Sequence, residues 1–226
     1  ICGHCPTSAI TGAWQNVDDI HDNMLYFLEN HDEQRIASDF FAGDARRAFP
    51  AFVTNILMRQ NPFMLYAGQE YGERGMDKEG FSGCDGRTTI FDYWTVGTLH
   101  RAFVEGKSTE EESALERCYS EIMNIAICEK AIANGVFFDL MYVNPQLGEK
   151  QYAFLRKADK ELLIVVTNFS AEKAYCNINV PEHAFDFLQI PYDKANAKDL
   201  LSGKTLSIDF KSNRCINTEV EGFGCT

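Results

Sequence analysis

Four polar residues follow a short apolar run near the start of the chain. Residues 25–28 read LYFL, and Glu29-Asn30-His31-Asp32 come directly after them. A carboxylate next to an imidazole can take part in acid–base chemistry or stabilise a positive charge, if a strand carries both into a cleft. Alternatively, the strand simply reaches water there, Asp32 caps a loop and His31 is an ordinary solvated residue. The surrounding elements must distinguish the two interpretations.

The segments around these four residues predict a strand–helix–strand unit. Residues 24–28 and 63–67 are short apolar runs of the kind that form buried parallel strands. Between them Asp44 suits a helix N-cap, and apolar residues follow with helical spacing until Asn61-Pro62 ends the pattern. Both runs end in polar residues. Because sites in parallel sheets lie at the carboxyl ends of the strands, both polar clusters belong to one candidate site.

The rest of the chain predicts a long helix and then a series of strands. A loop rich in Gly, Asp and Glu covers residues 71–97, and a helix is expected over 109–134, with Ser108 and Glu111 as its capping box. Gly135 is expected to end that helix in a left-handed conformation. Strands are predicted at 137–143, 152–156, 162–169, 175–180, 199–201, 205–210 and 215–220. The fold class is therefore α/β over residues 1–135, followed by an all-β antiparallel sandwich over residues 136–226.

This order of features resembles the α-amylase family of glycoside hydrolases, family 13. In that family the seventh strand of a TIM-type (β/α)8 barrel ends in N-H-D and the eighth ends in a Y-x-G-x-E-like turn. Here Asn30-His31-Asp32 precedes a helix, then PFMLYAGQEYG, GRTTIFDYW, the long helix and the β-domain. The resemblance covers the chain from about residue 24 and implies that residues 1–135 are the last (β/α) units of a partial barrel.

The resemblance assigns roles to individual residues. Asp32 corresponds to the carboxylate that stabilises the oxocarbenium-like transition state, a role that suits a fixed negative charge beside a positive sugar ring. His31 corresponds to the imidazole that hydrogen-bonds the sugar at the cleavage point, and Asn30 begins the motif and positions it. Arg35 is a candidate for substrate binding, although it could equally pair with a carboxylate or cap the loop. The implied parent is a retaining glycosidase acting on α-glucans or maltooligosaccharides, with linkage and hydrolase or transglycosylase activity left open.

Two carboxyl groups that a retaining glycosidase needs are missing from the sequence. The family's nucleophile, in an R-x-D setting, and its acid/base Glu belong upstream of Asn30. Asp18 and Asp19 lie in no such setting, and no glutamate precedes Glu29. We therefore expect the chain to be the C-terminal part of a longer enzyme, to require the N-terminal part of the barrel as its partner, and to be inactive alone.

Several further residues are weaker candidates. Glu70 is expected to be structural, and Asp92 has no assigned role. The loop acids could border a substrate or bind nothing, and two aromatic residues could stack on sugars or simply pack. These are Asp77, Glu79, Asp85, Tyr93 and Trp94.

Composition argues against several other classes of protein. The net charge is −12, which disfavours nucleic acids and anionic membranes as partners. No apolar run approaches the roughly 20 residues of a membrane span. No cofactor is expected, since the calcium sites of the α-amylase family lie mostly upstream of the segment that this chain resembles.

The first residues carry a dithiol spacing, Cys2-Gly3-His4-Cys5. A thiol oxidoreductase would need a strand before this motif and a helix beginning at its first cysteine, and a zinc site would need a second Cys/His pair. We expect neither, and expect mostly reduced thiols among the eight cysteines.

A non-catalytic module that binds carbohydrate or protein is the other alternative to a glycosidase for the chain as a whole.

Overall fold

The computed structural model describes residues 1–77, 84–91 and 95–226. Four residues considered above lie outside the described residues, so their interpretations stay predictions: Glu79, Asp92, Tyr93 and Trp94. The described chain begins with a short helix, α1 (Ala9–Gln15). Residues 24–77, 84–91 and 95–135 form a mixed α/β part, and antiparallel strands dominate thereafter.

A parallel strand pair with an intervening helix confirms the strand–helix–strand prediction. β1 (Tyr26–Phe27) and β2 (Phe63–Met64) are hydrogen-bonded neighbours, with Tyr26 opposite Phe63. α2 (Phe49–Met58) connects them. Each strand has only two residues, fewer than predicted, and the described residues contain no closed barrel.

The sequence around α2 explains where this helix begins and what it buries. The Asp44 carboxylate accepts a hydrogen bond from the backbone N–H of Arg46, which caps a 3-10 turn that leads into the helix. Pro50 lies in the first turn, where its missing N–H costs nothing. Phe52 is fully buried and stacks on Tyr119 of the next long helix, with ring centroids 4.2 Å apart. Packing of this apolar face fixes α2 against the rest of the fold.

The long helix is present, but its cap lies one residue later than predicted and it ends at Cys128 instead of continuing to residue 134. After α3 (Gly97–Leu99) and a π-helical segment (His100–Glu105), α4 (Glu110–Cys128) begins at a capping box formed by Thr109 and Glu112. α5 (Lys130–Ala133) follows.

The left-handed conformation expected of Gly135 was wrong, because the φ of this residue is not positive. The position instead requires glycine for space. A Cβ there would lie 2.0 Å from the carbonyl oxygen of Ala131.

The remaining strands form three separate antiparallel sheets. The bounds are β3 (Val136–Asp139), β4 (Gln151–Ala158), β5 (Glu161–Asn168), β6 (Ala174–Asn179), α6 (Glu182–Leu188), β7 (Lys194–Lys198), β8 (Thr205–Asp209) and β9 (Cys215–Val220). The sheet orders are β3-β4-β5, β6-β9 and β7-β8. The strand predicted at 199–201 was wrong, because these residues form a turn, and β7 and α6 were not predicted. The antiparallel character is as predicted, whereas this arrangement does not confirm a two-sheet sandwich.

One cluster of buried side chains runs through both parts of the chain. It contains residues of α2 and α4 as well as residues of β4, β5, β6 and β9. Arg156 of β4 is 1% exposed and donates hydrogen bonds to the carbonyl oxygens of Met58, Ala131 and Ile132. This side chain joins the sheet to the last residue of α2 and to the middle of α5. The division of the chain at residue 135 stays a prediction. No helix in the described part is long and apolar enough to cross a membrane.

Candidate active-site loop

A buried ion pair closes the loop that follows β1. The Arg35 guanidinium donates to Glu29, with Nη1 2.9 Å from Oε2, and their side chains are 1% and 3% exposed. The other carboxylate oxygen of Glu29 accepts a 2.7 Å bond from the backbone N–H of Ile36. Both ends of the loop are therefore fixed in the interior, and residues 30–34 project between them. We call residues 29–36 the Asp32 loop.

Arg35 is held by partners on several segments. Its Nη2 lies 2.7 Å from the carbonyl oxygen of Ala67, at the end of the second apolar run, and its Nε lies 3.0 Å from the Thr88 hydroxyl. The guanidinium carbon lies 4.1 Å from the ring centroid of Tyr66. Of the roles open to Arg35, this geometry matches pairing with a carboxylate. A direct contact with substrate would require this buried cation to leave its partners, so a substrate-binding role for Arg35 has no support in its position.

Burial dominates the electrostatics of Glu29. Removal from water raises the pKa of this carboxyl group, and the nearby Arg35 charge opposes that shift. Burying these two charges has a high desolvation cost, and the pair serves a structural role. Any contribution to function comes through the residues of the loop that the pair holds in place.

The three motif residues lie on the solvent side of this closed base. The Asn30 side-chain oxygen accepts hydrogen bonds of 2.9 Å from the backbone N–H groups of Asp32 and Glu33, which fixes the turn. His31 Nε2 lies 3.5 Å from Asp32 Oδ1. The side chains of His31 and Asp32 are 48% and 76% exposed, so both can reach a ligand. The sugar-binding and catalytic roles of Asn30, His31 and Asp32 stay predictions.

The second polar cluster forms a tight turn after β2. Gly68 and Gly72 have φ values of 92° and 70°, which L side chains rarely adopt, and they bracket a 3-10 turn (Gln69–Tyr71). The Glu70 carboxylate accepts a 3.0 Å bond from the Gly68 N–H, and burial raises its pKa. Gln69 donates to the Tyr119 hydroxyl at 3.1 Å. Glu70 thus supports its own turn, as expected of a structural residue.

Residues 84–91 lie beside the Asp32 loop. The Gly86 carbonyl accepts a 2.8 Å bond from the Arg35 N–H. Asp85 pairs with Arg87 at 2.5 Å, and this hydrogen bond raises the pKa of Arg87, with smaller contributions from the charges of Asp32 and Glu33. Asp85 therefore pairs within its own segment, which lies beside the Asp32 loop. Asp77 lies instead over Gly97, where a Cβ would be 2.5 Å from its carboxylate.

Two buried carboxylates in the loops after β1 and β2 were missed by sequence reasoning. Glu29 was seen only as part of a polar cluster, and Glu73 was not singled out. Glu73 is 5% exposed, accepts a 2.6 Å bond from the Thr98 hydroxyl and a 2.8 Å bond from the Gly75 N–H, and so holds the loop after β2. The burial of Glu29 could have been predicted from its position directly after an apolar run and from the arginine six positions later.

Neither metal nor thiol chemistry gains support from the geometry. Among the described residues no group of three or more His, Cys, Asp or Glu side chains could hold a metal ion. Cys2 is half-buried, Cys5 is exposed, and α1 begins only at Ala9. All eight cysteines lie in the described part of the chain and are unbonded there.

A cavity of about 680 Å³ lies between α2, α4, the turn after β2 and the C-terminal segment. Its walls include Phe49, Tyr71, Leu115 and Phe223. Asn30, His31 and Asp32 are not among the described residues that line it. The Asp32 loop therefore presents its motif on an open surface, separate from this cavity.

Solved structures of α-amylases share this arrangement. AmyP in complex with maltose superposes with a TM-score of 0.68 at 18% identity, over 98% of this chain and 44% of AmyP. The α-amylase of Geobacillus thermoleovorans in complex with acarbose has a TM-score of 0.65 at 14% identity, over 97% and 42%. The maltogenic α-amylase AmyB of Thermotoga neapolitana has a TM-score of 0.57 at 18% identity, over 94% and 44%.

These matches identify the fold and show what share of the solved α-amylases the chain corresponds to. No protein-family model matches the sequence, and no curated protein matches it either. The chain spans less than half the length of the solved α-amylases that it resembles. At such low identities the likeness concerns the fold, and it covers nearly all of this chain. The chain folds like the C-terminal portion of the α-amylases, the glycoside hydrolases of family 13.

Proposed function

We propose that the chain is the C-terminal segment of an α-amylase-like retaining glycosidase that acts on α-glucans or maltooligosaccharides. In this proposal Asp32 stabilises the transition state, His31 hydrogen-bonds the sugar, and Asn30 holds the turn that carries both. The nucleophile and the acid/base belong to the N-terminal part of the barrel. Residues 1–135 then form the last barrel units, and residues 136–226 the C-terminal β-domain.

The observation that carries this proposal is the construction of the Asp32 loop. Its base is a buried ion pair between Glu29 and Arg35, and its tip exposes His31 and Asp32 at the carboxyl end of a parallel strand. An oxocarbenium-like transition state gains most from a carboxylate whose position is fixed before the reaction, because no reorganisation is then needed. The Asx-type turn of Asn30 and the ion pair together fix the backbone that carries Asp32.

The solved relatives support the substrate class. AmyP was solved with maltose, and the Geobacillus thermoleovorans enzyme with acarbose. We extend this substrate class to the present chain as part of the proposal. The relatives are more than twice as long, which leaves room upstream for the two carboxyl groups that the chain lacks.

The proposal is tested by hydrolysis assays with the 226-residue chain and with the protein expressed from its complete reading frame. The 226-residue protein should release no reducing ends from maltoheptaose. Hydrolysis at enzyme-like rates by this chain alone would overturn the assignment of the missing groups. The protein expressed from its complete reading frame should hydrolyse maltoheptaose, and failure of that protein to do so would favour a non-catalytic binding module instead.

A further inference from the structure

A second cavity, of about 490 Å³, lies at the amino ends of the parallel strands. Its walls come from the 3-10 turn before β1 (His21–Asn23), from the segment between α2 and β2, and from the beginning of β3. No residue of the Asp32 loop is among the described residues that line it, because that loop leaves the carboxyl end of β1. The cavity contains two arginines, Arg59 and Arg156, and we call it the arginine pocket.

Arg156 brings a buried charge to the pocket that no carboxylate of the described residues pairs with. Its side chain is 1% exposed, and its hydrogen bonds go to the carbonyl oxygens of Met58, Ala131 and Ile132, at 2.6, 3.0 and 2.6 Å. A guanidinium has five N–H groups, so these bonds leave one on Nη1 and one on Nη2 for a further acceptor. Carbonyl dipoles offset only part of the cost of burying a full charge.

Arg59 brings a second cation with an unsatisfied donor. Its Nη2 donates a 2.8 Å hydrogen bond to Asp18, whereas its Nε is buried and has no hydrogen-bond partner among the described residues. The guanidinium carbon lies 5.1 and 4.9 Å from the ring centroids of Trp14 and Phe137, and these two rings hold its position. Because buried donors are rarely left without an acceptor, the geometry indicates a missing partner on this side of Arg59.

The two cations make the interior of the pocket positive, although the whole chain has a net charge of −12. Burial and, to a smaller extent, the charge of Arg59 lower the pKa of Arg156 to about 10, so both side chains keep their protons at neutral pH. The nearby carboxylates of Asp18 and Asp22 are 55% and 88% exposed, and water screens their charges. A negative group between the arginines would therefore remove an unfavourable interaction as well as form new hydrogen bonds.

We propose that the arginine pocket binds the oxyanion group of a small molecule between Arg59 and Arg156. Guanidinium N–H groups match the oxygen atoms of phosphate and carboxylate in spacing and charge. A water molecule occupies only about 30 Å³, so the 490 Å³ of the pocket leave room for more than the anionic group itself. The proposal requires no assumption about the reaction at the Asp32 loop.

A bound anion would also join two parts of the chain. The pocket is lined both by the segments that precede β1 and β2 and by residues of β3 and β4. A ligand that contacts these segments together binds the folded state and not the unfolded chain. It should therefore raise the stability of the protein in proportion to the logarithm of its concentration above the dissociation constant.

The test is a titration of the 15N-labelled 226-residue protein with inorganic phosphate, at an ionic strength held constant with chloride. The Nε–H signals of Arg59 and Arg156 and the amide signal of Asn61 should shift and saturate. Arg59→Gln should weaken the affinity about tenfold or more, as expected from the loss of a charged hydrogen bond. Arg74→Gln is the matched control, because it removes the same charge from a surface pair with Asp39, away from the pocket, and should retain the affinity.

Thermal unfolding provides a second measurement. Phosphate should raise the unfolding temperature of the wild type and of Arg74→Gln but not that of Arg59→Gln. A general effect of excluded salt would raise all three equally and would overturn the proposal. The wild-type signals of Arg59 and Arg156 test the pocket even if Arg59→Gln does not fold.

The remaining outcomes are equally decisive. No shift at the pocket, or the same shifts with chloride alone, would overturn the proposal. Binding of phosphate by the 226-residue protein but not by the protein from the complete reading frame would show that an upstream side chain fills the pocket, and would overturn it as well. Saturable binding by both proteins, weakened by Arg59→Gln alone, is the result that the proposal predicts.

Discussion

Glu29 and Arg35 lie six residues apart and meet in the interior, with their charged atoms 2.9 Å apart and both side chains almost fully buried. The pair closes the loop that exposes His31 and Asp32. Since each charge has lost its hydration, each depends on the other and on its additional hydrogen bonds. The pair therefore holds the two ends of the loop that carries Asp32, while its own charged groups are shielded from solvent.

Removing one member of this pair should be costly. Arg35→Met leaves the Glu29 carboxylate buried without its cation, and we expect a loss of about 3–5 kcal/mol in the free energy of unfolding. The double variant Glu29→Gln/Arg35→Met should lose less than the sum of the single variants, because no charge is left unpaired. Urea denaturation of the wild type and the three variants measures this. If the losses of the two single variants add up to the loss of the double variant, the two side chains are not energetically coupled and the prediction is wrong.

Close contact between two glycines should fix residues 84–91 against the loop after β2. A Cβ at Gly75, where φ is +60°, would lie 2.6 Å from the carbonyl oxygen of Gly86. Gly43 has a similar φ of +69° but nothing within 4 Å of such a Cβ, so Gly43→Ala isolates the backbone cost of about 1–2 kcal/mol. Gly75→Ala should cost about 1–3 kcal/mol more, as measured by urea denaturation. Equal losses in the two variants would show that the segments are not in contact.

Local sequence patterns were sufficient for the elements whose signals agree at every level. The helix from Phe49 was predicted because its apolar spacing, its cap at Asp44 and its early Pro50 all indicate the same start. The one-residue error at α4 arose because Ser108 with Glu111 and Thr109 with Glu112 both match a capping box. Periodicity alone does not choose between two adjacent matches.

Tertiary packing decided the elements that were missed. α6 depends on burying Ala184, Phe185 and Leu188, and its seven residues are too few to form a stable helix alone. β7 (KANAK) has no β-branched residue and forms by pairing with β8.

The candidate site divides in the same way. The resemblance to the α-amylases picked out Asn30, His31 and Asp32 as candidates, whereas the burial of Glu29 and Glu73 depends on segments that only the fold brings together.

The position of the α4 cap can be measured directly. Thr109→Ala removes the hydroxyl that accepts the Glu112 N–H at 3.1 Å and should lower the free energy of unfolding by about 1 kcal/mol. Ser108→Ala is the matched control and should change it by less than about 0.5 kcal/mol. A larger loss for Ser108→Ala, by thermal or urea unfolding, would place the cap at the originally predicted residue.

The cap of the turn before α2 should contribute a pH-dependent share of stability. A hydrogen bond from the Arg46 side chain holds the pKa of Asp44 below its ordinary value of 3.8 in the folded state. The contribution of this carboxylate is therefore complete above the ordinary pKa and is lost as the pH falls through the lower, folded-state pKa. Asp44→Asn keeps a capping oxygen but cannot titrate.

Urea midpoints of the wild type and Asp44→Asn at several pH values test this prediction. The wild type should be the more stable of the two at about pH 5, and the difference should shrink toward about pH 2. A difference that stays constant or grows on acidification would contradict the assigned role of Asp44.

The most direct test of the account is the rate at which the protein from the complete reading frame hydrolyses maltoheptaose, with and without Asp32→Asn. The Asp32 side chain is 76% exposed, so this substitution should leave the unfolding temperature unchanged. Loss of a fixed charge beside the developing oxocarbenium ion should lower kcat by about 10²–10³-fold or more. A folded Asp32→Asn variant that retains the wild-type kcat would contradict the role of Asp32 and the account built on it.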